Sequence, residues 1–260
     1  MKRLLSIVVA LYFVLPSLAG AQMTGNVDRL KADLHGDNID KAVAAASALG
    51  SLKTPQARDA LMGGLQLGAP PKLLSALIEA IGLHKSPKTI VLMRHFGGNR
   101  NPIIRVAALK ALGAITDKRI PRILISALGD SNPMVRAQAA RLLGDRRDRV
   151  AERSLFKMLR RGDTSAAAPL GQVGGVETAK QLGELIGEVK PGALATAYGE
   201  MLKRKDFGPD PLRTEVVKAL DKIPGAESTA ALVEYVASVP PKEIRVSKKI
   251  AEQRLERRQK

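Results

Sequence analysis

The strongest constraint on this chain is a tandem duplication between Asn101 and Asp163. Asn101-Pro102-Ile103-Ile104-Arg105-Val106-Ala107-Ala108-Leu109-Lys110-Ala111-Leu112-Gly113 is followed, 31 positions on, by Asn132-Pro133-Met134-Val135-Arg136-Ala137-Gln138-Ala139-Ala140-Arg141-Leu142-Leu143-Gly144. Self-similarity at this period marks an array of helical hairpins, each unable to bury its apolar stripe alone.

The period extends outward from that pair. Gly50, Gly82, Gly113 and Gly144 each follow two apolar residues and Gly174 follows Gln172-Val173, with steps of 32, 31, 31 and 30. A glycine there either closes a helix in the left-handed conformation or lets two helices approach closely. Pro70, Pro102, Pro133 and Pro211 stand where helices should begin, since the first turn needs no intrahelical N–H bond. Val106, Leu109 and Leu112 keep a helical spacing, as do Ile120, Ile123, Leu124 and Leu128. Beyond Gly174 the register loosens. Val176 to Val189 reads as a second helix and Pro191 to Lys205 as an additional one. Asp210-Pro211-Leu212-Arg213 reads as a restart of the motif, completed by Ala226 to Val239.

Asp130-Ser131-Asn132-Pro133-Met134-Val135-Arg136, with Ala139-Ala140 and Leu143-Gly144 downstream, resembles HEAT repeats, and more closely the short HEAT-like type of the phycobilin lyase family. Asn101-Pro102-Ile103-Ile104-Arg105 with Ala107-Ala108 and Leu112-Gly113 matches equally well. The resemblance covers about residues 39–239. It implies an all-α, right-handed α-solenoid of about six stacked hairpins, and it implies that Asp130, Arg105 and Arg136 form a structural ladder between neighbours. A lyase-type enzyme or enzyme accessory is one function the resemblance would allow, although fold does not carry function across.

Residues 1–21 read as a signal peptide. Lys2 and Arg3 precede an apolar run from Leu4 to Leu18, and Ala19-Gly20-Ala21 offers small residues for cleavage before Gln22. The alternative is a retained anchor, for which the run is short. The expected organisation is the signal peptide, an N-terminal capping helix at 22–36, the repeats at 37–240, and a basic helix or tail at 241–260. The expected location is periplasmic or secreted, with no transmembrane segment after cleavage. There is no Cys and no Trp, so thiolate metal sites, Cys nucleophiles and disulfides are excluded.

The residues offer little to catalysis. His35, His84 and His95 lack metal-type spacing. Gly171-Gln172-Val173-Gly174-Gly175 lacks the Gly-Lys-Ser/Thr ending of a phosphate loop and reads as a helix contact. Glu184 and Glu188, with Lys180, read as solvated helix charges. The expectation is a protein that is no enzyme, with neither catalytic residues, cofactor nor metal.

Charge is more informative. The whole chain carries +17, and residues 100–161 hold 15 basic against 5 acidic side chains. Within the duplication Arg105 matches Arg136, Lys110 matches Arg141, Lys118 matches Arg149 and Arg122 matches Arg153. Arg146, Arg147, Arg160 and Arg161 widen the basic segment. The expected function is a protein-binding scaffold of the cell envelope. Its expected partner is an acidic protein, an anionic envelope polymer or a lipid headgroup, met by Arg105, Lys110, Arg136, Arg141, Arg146 and Arg147. Lys110 and Arg141 are the cleaner candidates, because ladder pairing could consume Arg105 and Arg136. Nucleic acid is the alternative partner, disfavoured by export and by the lack of aromatic stacking platforms.

Overall fold

The computed structural model describes residues 25–259, and the signal-peptide segment lies outside them. The described residues are all-α, with no named strand and a lone bridge between Ile186 and Val189. The chain divides into two compact units, the first ending at Asp117 and the second beginning at Lys118.

The first unit contains helices α1 (25–34), α2 (Ile39–Leu52), α3 (Pro55–Gln66), α4 (Pro71–Leu83), α5 (Ile90–Phe96) and α6 (Pro102–Gly113). Helix starts follow local chemistry. The Asn38 side chain accepts from the Lys41 N–H, Thr54 from Ala57 and Asn101 from Ile103, each satisfying an N–H that has no helical partner. Pro55, Pro71 and Pro102 occupy first turns, and Pro70 is the cap before α4. α2, α4 and α6 stack in one row, α3 leans on α2 and α4, and α5 packs on α6. Leu49, Leu61, Leu77, Ile81, Met93 and Leu112 are fully buried in this unit. Each such side chain contributes roughly 2 kcal/mol.

The second unit contains α7 (Ile120–Ala127), α8 (Pro133–Asp145), α9 (Glu152–Arg160), α10 (Ala167–Val173), α11 (Val176–Glu184), α12 (Pro191–Lys203), α13 (Asp210–Lys222), α14 (Ala226–Ser238) and α15 (Val246–Gln259). α8, α10, α12 and α14 stack in succession, and α11, α13 and α15 form the other row. Each unit therefore stacks its helices in the manner of an α-solenoid.

Gly50, Gly82, Gly113 and Gly144 lie inside the last turns of their helices, not past them, while Gly174 follows the end of its helix. A Cβ on Gly50 would stand 2.9 Å from the Ala80 Cα, and one on Gly144 would stand 2.8 Å from the Pro169 Cα. Close approach between consecutive first helices is thus what these positions require. The left-handed closing position falls three residues further on, at Lys53, Lys85 and Arg147. At Arg147 the N–H donates to the Gly144 carbonyl and the Asp148 N–H to the Leu143 carbonyl, which closes α8 in a Schellman motif.

Past Gly144 the position of close backbone approach moves to Gly171, where a Cβ would clash with the Ala197 carbonyl, whereas at Gly174 a Cβ would meet the Met201 and Thr178 side chains. The glycine contact there is the inter-helix kind. This shortened step is why the register loosens in sequence. α12 packs between α10 and α14 as a member of the first row. The apparent restart at Asp210-Pro211-Leu212-Arg213 is α13, in the other row. Its arginine differs accordingly: Arg213 is buried and donates to the Leu202 and Arg204 carbonyls, capping the end of α12. In α6, by contrast, Arg105 reaches back to the Asn99 and Arg100 carbonyls.

The basic C-terminal stretch forms α15 and docks on α13 and α14, with Ser247 and Ala251 fully buried. Asp210 caps it by accepting from the Val246 and Ser247 N–H groups. Arg254 pairs with Asp221, and Arg258 donates to the Leu220 and Asp221 carbonyls at the end of α13.

Candidate basic interface

The six sequence candidates divide into two kinds. In the first unit, Arg105 is half-buried and spends its guanidinium on the loop carbonyls before α6, while Lys110 is exposed on α6. In the second unit, Arg136 and Arg146 are similarly engaged. Arg136 Nε donates to Asp163 at 2.8 Å, and its Nη1 donates to the Asp130 and Ser131 carbonyls. Arg146 Nε donates to Asp148 at 2.9 Å. Arg141 and Arg147 are each 65% exposed. Arg141 stands 4.0 Å from Asp145 one turn on, and Arg147 stands 3.7 Å from Asp206. Exposed pairs at these distances contribute little, so both guanidinia remain available to a ligand.

The structure adds Lys157 to the cations that repeat register and sequence position single out, and shows how they are placed. α9 is strongly amphipathic, with Leu155, Met158 and Leu159 buried on one side. Its other side presents Arg153, Lys157 and Arg160, with Arg161 just beyond, all exposed. The i, i+4 spacing of Arg153 and Lys157 puts them on one face. Arg149, in the 3-10 turn that leads into α9, is also exposed and lies 3.3 Å from Asp206.

Most acidic residues of this segment are held in structural bonds, while Asp145 stays exposed on α8 beside Arg141. Asp163 is held by Arg136 and Ser165, and Asp148 by Arg146. Glu152 accepts from the Gly175 N–H and the Thr178 hydroxyl, tying the start of α9 to the start of α11. Asp130 accepts from the Asn132 N–H. Burial would push the Asp163 carboxyl up, but hydrogen bonds from Ser165 and Arg136 outweigh it and hold the group below the ordinary carboxylate range. Asp206 sits lower still, at about 2, because Arg204 donates to both its oxygens.

The histidines have separate surroundings. His84 lies near Leu49, Arg58 and Asp59, and its Nε2 is buried without a hydrogen bond. His95 is exposed and meets the Phe96 ring edge-on at 5.5 Å. Among the described residues there is no group of three His, Cys, Asp or Glu placed to hold a metal. No helix there is long and apolar enough to cross a membrane.

Stacked helices and a ladder of loop-capping arginines define an α-helical repeat scaffold. The family comparison agrees: the model for HEAT repeats matches residues 96–168, and that for the PBS lyase HEAT-like repeat matches residues 42–66. The chain thus contains HEAT-like repeats at these residues. No curated protein matches it in sequence. Among solved structures it is similar to the complex of CpcE and CpcF of phycocyanin lyase from Nostoc sp. PCC7120, at 16% identity and a TM-score of 0.48, covering 89% of this chain and 94% of that one. It is also similar to human deoxyhypusine hydroxylase, at 18% identity and a TM-score of 0.43, covering 92% and 98%. A mutant of Kap121p is similar at 17% identity and a TM-score of 0.44, covering 89% of this chain but only 29% of that one.

Proposed function

We propose that this protein is a non-enzymatic, protein-binding scaffold of the cell envelope, presenting basic surface to an acidic protein partner. One observation carries the reading: from the end of α8 to the start of α10, Asp148, Glu152 and Asp163 are taken up by structural bonds while the cations of α9 turn outward. Arg153, Lys157, Arg160 and Arg161 have neither a carboxylate partner nor a capping role. Arg141, Arg147 and Arg149 hold only loose pairs. A rigid surface of one sign attracts its partner over distances set by ionic screening and costs little reorganisation. In the first unit, Lys110 is likewise exposed. The envelope location rests on the export signal read in residues 1–21.

The test is crosslinking and mass spectrometry in the native host with the parent chain, Arg153→Glu/Lys157→Glu and Lys110→Glu/Arg141→Glu. The parent chain should capture an acidic protein that the reversed variants lose while remaining folded. An unchanged set of crosslinked proteins overturns the proposal. Capture of anionic polymer or lipid in place of protein would correct the partner class, and a salt-sensitive shift of duplex DNA would favour nucleic acid.

A further inference from the structure

The row of second helices in the second unit is not evenly packed. α13 lies closely against α15 but touches α11 sparsely. The sequence explains the gap. α11 turns Ala179 and Gly183 toward α13, which answers with Ala219, and none of these fills the space. A cleft of about 640 Å3 opens between the two helices, within the size range of small-molecule sites.

Its interior is apolar. Ile186, Leu212, Val216 and Ala219 line it, and the Tyr198 ring from α12 forms part of its wall. Tyr198 is buried and its hydroxyl donates to the Ala179 carbonyl at 3.0 Å. Burial pushes that phenol well above its ordinary range, so it stays a neutral donor.

The charges around the cleft are unequal in state. Lys218 is paired with Glu215 at 2.9 Å, and Arg254 with Asp221 at 2.6 Å. Lys180 and Lys222, one from each bordering helix, are exposed and have no carboxylate partner. The cleft therefore offers an apolar interior and a positive mouth.

We infer that this cleft binds a small amphiphilic carboxylate, the acyl chain lying between α11 and α13 and the carboxylate meeting Lys180 and Lys222. Chain burial supplies the attraction, and the two ammonium groups fix orientation and select the anion. The site is separate from the α9 surface, so it stands or falls independently of the partner proposed there.

The experiment is calorimetric titration of the full chain with laurate below its micellar concentration. Dodecanol and dodecyltrimethylammonium serve as neutral and cationic controls. Laurate should bind saturably, one to one. Lys180→Ala/Lys222→Ala should weaken it about tenfold, the effect of losing a charge-assisted contact. Gly183→Leu should abolish binding by filling the cleft: a Cβ there would stand 3.5 Å from the Tyr198 hydroxyl. Leucine favours helix over glycine, so the thermal midpoint should not fall. Arg153→Glu/Lys157→Glu should bind laurate as the parent chain does. Absence of saturable binding, unchanged binding by Gly183→Leu, or equal affinity for the three amphiphiles overturns the inference.

Discussion

Arg136 and Asp163 join across 27 residues of chain at 2.8 Å, the guanidinium leaving the first turn of α8 and the carboxylate standing in the loop before α10. The same arginine caps the Asp130 and Ser131 carbonyls. Removing it leaves three acceptors short of a donor in a partly buried site. Arg136→Ala should destabilise the second unit by about 2 kcal/mol. Arg141→Ala, five residues along the same helix, should change stability by less than ~0.5 kcal/mol, because its ion pair is exposed and long. Urea denaturation of the two variants checks the contrast. Equal losses would mean that Arg136 is no more structural than its exposed neighbour.

Acid should loosen the two units through different groups. Asp163 and Asp206 titrate below their unfolded values, so the stability they contribute is full above about pH 4 and is lost as pH falls through their folded values, near 2 for Asp206. His84 is the opposite case in charge but not in direction. Burial lowers its pKa, the Leu49 backbone hydrogen bond opposing and the nearby Arg58 charge assisting. Its unfolded form takes up protons near the ordinary histidine value of 6.5, before the folded form does. Stability of the first unit should therefore fall as pH drops below 6.5. Thermal melts from pH 7 to 5 should show a decline that His84→Leu abolishes, and melts from pH 4 to 2 a further decline that Asp206→Asn reduces.

Close stacking at the marker glycines predicts a cost for any side chain there. Gly144→Ala gains helix propensity of about 1 kcal/mol. It must also find room where the Pro169 Cα would be 2.8 Å away, and overpacking against backbone costs roughly 1–3 kcal/mol. The net should be destabilising, with Gly144→Val worse. Gly63 provides the control, since nothing lies within 4 Å of a Cβ there and Gly63→Ala should stabilise. Thermal midpoints of the three variants decide the matter; a rise for Gly144→Ala would show that the helices can separate freely.

The fold was legible because its signals are local and repeated. Proline in the first turn, Asn101 and Asn132 as caps, and buried Leu at helical spacing each act within one turn of chain. The structural engagement of Arg136 was also readable from its place in the repeated motif. Other features were not. The shift from Gly174 to Gly171 depends on which residue of α10 meets the Ala197 carbonyl, and no local pattern records that. Arg213 imitates the repeat arginine in sequence yet caps a different helix end, because α13 belongs to the other row. Arg146 looked like free surface charge. Only the turn geometry brings Asp148 to its Nε. The cations of α9 were visible as residues, but their freedom follows from where Glu152, Asp148 and Asp163 point.

Arg147 sets stability against binding. It occupies the left-handed position that closes α8, at φ 53, where glycine is the unstrained choice. A side chain there costs about 1 kcal/mol, and the 3.7 Å pair with Asp206 recovers little of it. The outward guanidinium is what the strained residue provides. Arg147→Gly should therefore raise the stability of the second unit by up to about 1 kcal/mol while weakening capture of the acidic partner. Arg147→Asn, which tolerates the same conformation without charge, should weaken capture as much. Denaturation and crosslinking yield on the same preparations test both halves. If Arg147→Gly stabilises the fold and leaves capture intact, this arginine lies outside the interface, and the strain has no part in binding.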